Sequence, residues 1–138
     1  MNIDEDQFYF LYTDGAARGN PGPSGAGWIL ENGEQQEIHS GYRFLGHRTN
    51  NQAEYEAVIY GLEAIAGQGI TKLTIRADSQ LMVRQLLGEY RVKNADLKPL
   101  HAKTLALLGA YEDVRIEHVR REYNVKADRQ ANLAIDRH

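Results

Sequence analysis

The chain has 138 residues, a net charge of -3 and no cysteine. This length is enough to bury one hydrophobic core, and it predicts a single domain over residues 1–138. The lack of cysteine excludes a disulfide framework and a thiolate metal site. It also favours a reducing compartment, so we expect a cytoplasmic protein.

Charge and hydropathy argue against several further classes of protein. Residues 1–6 are acidic and polar, so they predict a short flexible lead-in and not a secretory signal. No stretch is long and apolar enough to span a membrane. The 19 acidic residues outnumber the 16 basic ones, which argues weakly against a generic nucleic-acid binder. If four of the 19 acids held metal ions, 15 would remain against 16 bases, and the objection would weaken.

The first part of the chain predicts three strands. Residues 7–13 form an aromatic, nearly all-apolar run that is typical of a central strand. A glycine-rich loop over residues 16–25 follows, and residues 26–31 form a second strand. Asn32-Gly33 is a hairpin signal, and residues 37–44 alternate in character as a third strand.

The rest of the chain alternates helices and strands. A polar loop over residues 46–50 precedes a helix over residues 51–66, which has a broad apolar face and ends at Gly67. The remaining elements are a strand over 72–77, helices over 80–87 and 99–108, a strand over 114–119 and a helix over 125–135. Three strands followed by this alternation predict an α/β fold with a sheet of mixed direction.

Chain direction brings four carboxylates to one edge of the predicted sheet. Hairpins return the third strand to the end where the first strand stops, so the helix over 51–66 begins there with Glu54. Connections between parallel strands return to the opposite end first, so Asp78 also follows a strand at this edge. The last helix begins there with Asp128. Together with Asp14, these acids lie where open α/β sheets generally place their sites.

Each acid also has an ordinary structural explanation. These are a turn for Asp14, a capping box with Asn51 for Glu54, an N-cap for Asp78 and a helix N-terminus for Asp128. Each explanation suffices for one residue. Four carboxylates at one edge point instead to bound cations, because crowded acids repel unless they are neutralised. An all-oxygen cluster suits Mg²⁺ or Mn²⁺, and two such ions suit phosphodiester hydrolysis.

Short polar side chains flank the acids and can bind phosphate or sugar hydroxyls. Loop and cap chemistry explains each of them equally well when it is taken alone. These candidate substrate-binding residues are Asn20, Thr49, Asn50, Asn51 and Gln80.

Four segments, in this order along the chain, resemble the type 1 ribonuclease H family. They are Tyr12-Thr13-Asp14-Gly15 with Gly19-Asn20-Pro21-Gly22-Pro23, then Thr49-Asn50-Asn51-Gln52-Ala53-Glu54, then Asp78-Ser79-Gln80, then Asn124-Val125-Lys126-Ala127-Asp128. The resemblance covers nearly the whole chain. It implies the ribonuclease H-like fold, with a five-stranded mixed sheet in the order 3-2-1-4-5 and helices on both faces.

The resemblance implies a metal-dependent endonuclease that cuts the RNA strand of RNA/DNA hybrids and leaves 5′-phosphate and 3′-hydroxyl ends. The four acids would bind two Mg²⁺ ions, with Mn²⁺ as a substitute and Asp14 as the bridging ligand. Asn20 and Thr49 would hold a phosphate of the DNA strand. Asn50, Gln80 and the backbone around Gly15 would face the minor groove and the RNA 2′-hydroxyls, with Gly15 small so that the RNA can approach.

The sequence departs from the family pattern in the loop before the last helix. Many members carry a flexible histidine there, whereas residues 120–124 contain none. We expect His118 to lie on the preceding strand in a structural role. Arg121 is a candidate to contact the phosphate or leaving group, although a guanidinium cannot act as an ordinary base.

The chain also resembles the compact form of the family. It lacks the basic protrusion of larger members, with only Arg91 and Lys93 in the corresponding connection. We also expect no N-terminal hybrid-binding domain. We therefore expect a monomer that binds its substrate more weakly than the larger forms. Two alternatives stay open, an enzyme acting on double-stranded RNA and a non-catalytic binding module. The presence of all four acids argues against the second.

Overall fold

Over residues 2–138, the part of the chain that the computed structural model describes, five strands and four α-helices form. In chain order they are β1 (Phe8–Ala17), β2 (Gly22–Glu31), β3 (Glu37–Arg48), α1 (Asn50–Ile65), β4 (Lys72–Ala77), α2 (Gln80–Leu86), α3 (Lys98–Leu108), β5 (Asp113–His118) and α4 (Val125–Asp136). A 3₁₀ turn, Arg121–Tyr123, precedes α4. None of these helices has the length and apolar character that crossing a bilayer requires.

The five strands form one mixed sheet. Its order is β3-β2-β1-β4-β5, with antiparallel pairs among the first three strands and parallel pairs from β1 to β4 and from β4 to β5. This confirms the predicted sheet and its strand order. The parallel half brings the C-terminal ends of β4 and β5 to one edge, beside the continuing strand β1.

Helices cover both faces of the sheet, as predicted. On one face α1 packs on β1 and β2, where Leu11 and Trp28 lie against Gly61 within the main hydrophobic core. On the other face α4 crosses β2 at Gly25 and Gly27, where an added Cβ would clash with the backbone of α4. The first contact is made by large apolar side chains, and the second is made largely by main-chain atoms.

The first three strands are longer than predicted. β1 continues through Asp14 to Ala17, and β2 already begins at Gly22, so the loop predicted over residues 16–25 shrinks to residues 18–21. β3 likewise continues to Arg48. These extensions lack alternating hydrophobic residues. Their backbone pairing, such as Gly15 with Ala26, makes them strands, and small side chains allow helices to pack directly on them.

The lead-in that we predicted over residues 1–6 is in contact with the fold. Ile3 packs against the core, the Asp4 N–H donates to the Tyr9 hydroxyl at 2.8 Å, and the Thr71 hydroxyl donates to the Glu5 carbonyl. Met1 lies outside the described residues. The contacts of residues 3–5 argue against a frayed segment there.

Candidate active site

A cavity of about 530 Å³ opens at the edge of the sheet where the parallel strands end. Four carboxylates line it, from Asp14 on β1, Glu54 on α1, Asp78 after β4 and Asp128 on α4. The structure thus brings together the four acids that chain direction placed at one edge. The polar side chains of Asn50, Asn51, Ser79, Arg121 and Asn132 also line the cavity, together with the small residues Gly15, Ala16 and Ala17.

Three of the four acids form a tight group. Asp14, Glu54 and Asp78 each offer a carboxylate oxygen, and these oxygens lie within 4.8 Å of one another. Asp14 sits inside β1 and not at its end, because the strand continues to Ala17. Asp128 is exposed and stands outside this group, although its carboxyl group lies close enough to interact with that of Asp14.

Gly15 fixes the position of Glu54. An added Cβ at Gly15 would clash with the main chain of Ala53 and Glu54, so only glycine lets α1 lie this close to β1. The Gly15 N–H donates a short hydrogen bond to the Glu54 carboxylate. The packing of α1 therefore accounts for the small residue, and the predicted approach of RNA is not needed to explain it.

The ordinary explanations for Glu54 and Asp78 fail. The capping box of α1 is formed by Thr49 and Gln52, each side chain accepting from the backbone N–H of the other. The N-cap of α2 is Ser79, whose hydroxyl accepts from the Met82 N–H. Neither acid serves a helix terminus, so both carboxylates are available to the cavity.

Asn124 is one of the site residues that the sequence did not assign. It is 1% exposed, and its side-chain amide donates to the Thr13 carbonyl at 2.8 Å and to the Asp78 carboxylate at 3.0 Å. It therefore fastens Asp78 to β1. Its place immediately before the last helix favours a local cap, but it makes no side-chain capping bond. No local pattern would have revealed its contacts with the sheet.

The electrostatics of the three clustered acids, of which Asp14 and Glu54 are buried and Asp78 is half-buried, are unfavourable without a cation. Burial raises the pKa of Asp14 far above its usual range, and the charges of Glu54 and Asp78 raise it further. Burial also raises the pKa of Glu54 to about 7, against the lowering effects of the Gly15 N–H and the Arg121 charge. This all-oxygen donor set with excess negative charge fits hard divalent cations such as Mg²⁺ or Mn²⁺.

Arg121 lies at the cavity, in the 3₁₀ turn before α4. Its positive charge lowers the pKa of Glu54, so the guanidinium lies within electrostatic range of that carboxylate. His118 is the last residue of β5, as expected, and it is exposed and is not among the residues that line the cavity.

The predicted substrate-binding residues separate into two sets. Asn50 and Asn51 line the cavity, Asn20 accepts a hydrogen bond from the Asn50 N–H at 3.0 Å, and Thr49 caps the same helix. These four residues converge at the start of α1. Gln80, the first residue of α2, is exposed and is not among the cavity-lining residues.

Comparisons with known proteins agree with this architecture. Residues 12–134 match the family model described as "Reverse transcriptase-like". Ribonuclease HI of Halobacterium salinarum is 43% identical over 125 residues, which is 91% of this chain and 63% of that protein. The crystal structure of RNase H1 from Halobacterium salinarum NRC-1 has a TM-score of 0.92 at 41% identity, over 95% of this chain and 99% of that one.

A further solved structure contains a nucleic acid. LC11-RNase H1, isolated from compost by a metagenomic approach, was crystallised in complex with an RNA/DNA hybrid. It has a TM-score of 0.89 at 38% identity, over 94% of this chain and 97% of that one.

A sheet in this order with an acidic cavity at its edge defines the ribonuclease H-like class of proteins. The chain belongs to the type 1 ribonuclease H family, as the resemblance of its motifs predicted. It spans 63% of the length of the curated Halobacterium relative.

Proposed function

We propose that the chain is a metal-dependent endoribonuclease that hydrolyses the RNA strand of RNA/DNA hybrids. The observation that carries this proposal is the group of three carboxylates, Asp14, Glu54 and Asp78, whose oxygens lie within 4.8 Å of one another at the sheet edge. The substrate class is supported by LC11-RNase H1, which shares the fold at 38% identity and was crystallised with an RNA/DNA hybrid.

Two divalent cations, Mg²⁺ or Mn²⁺, would be held by Asp14, Glu54, Asp78 and Asp128. Asp14 is best placed to be shared between them, because its carboxyl group interacts with those of the other three acids. The chemistry that such ions supply when bound is activation of a water and stabilisation of the leaving oxygen. The products would carry 5′-phosphate and 3′-hydroxyl ends.

The side chains of the protein hold and orient the reacting groups. The Gly15 N–H fixes one Glu54 oxygen, and the Asn124 amide fixes one Asp78 oxygen. Arg121 contributes a permanent positive charge that can bind a phosphate or the departing strand but cannot accept a proton. This leaves proton transfer to water and to the carboxylates.

Substrate contacts would come from the start of α1. Asn20 and Thr49 would hold a phosphate of the DNA strand, while Asn50 and Asn51 would contact sugar hydroxyls from the rim of the cavity. Gln80 would reach the same groove from the start of α2. The 2′-hydroxyl is the group by which such contacts distinguish RNA from DNA.

Cleavage of labelled RNA/DNA hybrid, duplex RNA and duplex DNA, each titrated with Mg²⁺ and Mn²⁺, tests the proposal. We expect cleavage of the hybrid only with a divalent ion. Asp14→Asn and Asp78→Asn should each reduce it by at least about 10³-fold while hybrid binding is retained. Unchanged activity in these variants would refute the assignment. Cleavage of duplex RNA would add double-stranded RNA as a second substrate.

A further inference from the structure

A ladder of polar side chains on α4 supports Asp128. Asp128, Asn132 and Asp136 are spaced four residues apart, so they lie on one face of the helix. The Asn132 amide nitrogen Nδ2 donates to the Asp128 carbonyl at 3.0 Å and to the Asp128 carboxylate oxygen Oδ1 at 3.3 Å. Asn132 also lines the cavity with the acids.

Arg18 joins this ladder from the connection between β1 and β2. Its Nη1 lies 2.7 Å from Oδ1 of Asp136, and its Nη2 donates to Oδ1 of Asn132 at 3.2 Å. A guanidinium only donates hydrogen bonds. Arg18 therefore requires the oxygen of the Asn132 amide to face it, and this turns the amide N–H groups toward Asp128.

The same loop reaches the other side of the cavity. Two residues after Arg18, the Asn20 side chain accepts from the Asn50 N–H at the start of α1. The loop of residues 18–21 thus contacts both helices that border the cavity.

We propose that Asn132 is a positioning residue for Asp128 and that Arg18 couples the loop of residues 18–21 to it. Asp128 is exposed and stands outside the tight group of acids, so its side chain depends on these hydrogen bonds for a fixed orientation. One carboxylate oxygen is engaged by Asn132, and the other remains for a cation. The inference rests on the proposed function in assigning Asp128 to a divalent ion.

Calorimetric titration of the whole chain with Mn²⁺ alone, without nucleic acid, provides the primary test. Asn132→Ala should weaken Mn²⁺ binding by about 10-fold, as is typical when the hydrogen-bond partner of a metal ligand is lost. Arg18→Ala should have a smaller effect in the same direction. Because Arg18 acts through Asn132, the double variant should match Asn132→Ala alone.

Arg84→Ala is the matched control. Arg84, in the last turn of α2, forms a comparably exposed ion pair with Glu89 at 2.9 Å, and it is not among the residues that line the cavity. With EDTA present, Asn132→Ala and Arg18→Ala should shift the melting temperature no more than Arg84→Ala does. In hybrid cleavage they should raise the half-saturating Mg²⁺ concentration while the KM for the hybrid is unchanged.

Three results would overturn the inference. The first is parental Mn²⁺ affinity in Asn132→Ala. The second is that Asn132→Ala weakens Mn²⁺ binding as much in an Asp128→Asn background as in the parent chain. Asn132 would then not act through Asp128. The third is a parent chain that binds no Mn²⁺. A parent that binds Mn²⁺ but leaves hybrid intact refutes the proposed function instead, and the titrations still decide the role of Asn132.

Discussion

The two sides of the acidic cavity are built in different ways. On the sheet side, Asp14 and Glu54 are 7% and 8% exposed, and their positions follow from backbone packing between β1 and α1 at Gly15. On the α4 side, Asp128 is exposed and its orientation depends on the side chains of Asn132 and Arg18. Placement by backbone is rigid but buries repelling charges, whereas placement by side chains avoids that burial and leaves more freedom.

The largest effect on stability should come from Gly15→Ala. The added methyl clashes with the main chain of α1, which cannot move away without disturbing the core. We expect a loss of about 3 kcal/mol in the free energy of unfolding, measured by urea denaturation. Gly33→Ala is the control, because nothing lies within 4 Å of its added Cβ. Equal midpoints for the two variants would show that β1 and α1 are not held together rigidly.

Asn124→Ala should have the next largest effect. It leaves the Thr13 carbonyl without its side-chain donor in a buried position, so we expect a loss of about 2 kcal/mol by the same denaturation. Asn132→Ala removes the side-chain amide that hydrogen-bonds to Asp128, on the more exposed side of the cavity. We expect it to change the free energy of unfolding by less than about 0.5 kcal/mol. Similar losses for the two asparagines would contradict the contrast between the two sides.

A smaller effect concerns pH. In the unfolded chain the carboxyl groups ionise at about pH 4. In the folded chain the pKa of Asp14 is raised and that of Glu54 is raised to about 7, so these two groups keep their protons to higher pH. Folding therefore takes up protons, and the metal-free chain should lose stability as the pH rises from about 4 toward 7 and above.

Asp14→Asn tests whether the buried carboxyl groups cause this loss of stability with rising pH. It removes one buried charge and its repulsion of Glu54 and Asp78, so the variant should unfold at a higher temperature than the parent at about pH 8 in EDTA. The decline in melting temperature between about pH 5 and about pH 8 should also be shallower. Asp128→Asn, on the exposed side, serves as the comparison. If the parent chain became more stable as the pH rises over this range, ionisation of the buried acids would not destabilise the fold.

The smallest expected effect is stabilisation by Mg²⁺. At several times its dissociation constant, the ion should stabilise the parent by about 1 kcal/mol, because it binds the folded chain only. Thermal unfolding with and without Mg²⁺ should show this gain abolished in Asp14→Asn and only reduced in Asp128→Asn. If the gain were instead abolished in Asp128→Asn and only reduced in Asp14→Asn, the principal ion contact would lie on α4 and not on β1.

The edge of the sheet at which the acids meet could be predicted from the sequence, because its location depends on chain direction alone. The hairpins and the parallel crossovers determine where Asp14, Glu54 and Asp78 end up, whatever the strand boundaries are. The metal-binding role of these acids stays a prediction. Chain direction does not reveal side-chain partners that are distant in sequence, and Asn124 contacts residues that precede it by 111 and 46 positions.

Strand lengths were mispredicted for a related reason. Gly15, Ala16 and Ala17 carry no hydrophobic alternation, so they resemble a loop in sequence. They are strand because residues 24–26 of β2 pair with them, and this pairing is set by the rest of the hairpin. Gly15, which weakens the strand signal, is also the residue that the close packing of α1 requires.

The contact between α4 and the sheet has a consequence for protein engineering. At Gly25 and Gly27 the helix backbone already touches the strand, with Ala131 and Ala127 on the other side. The spacing between the two layers is therefore at its minimum, since no smaller residue exists. Libraries at these two positions can only widen the layer spacing and carry Asp128 outward, so they explore looser cavities and never tighter ones.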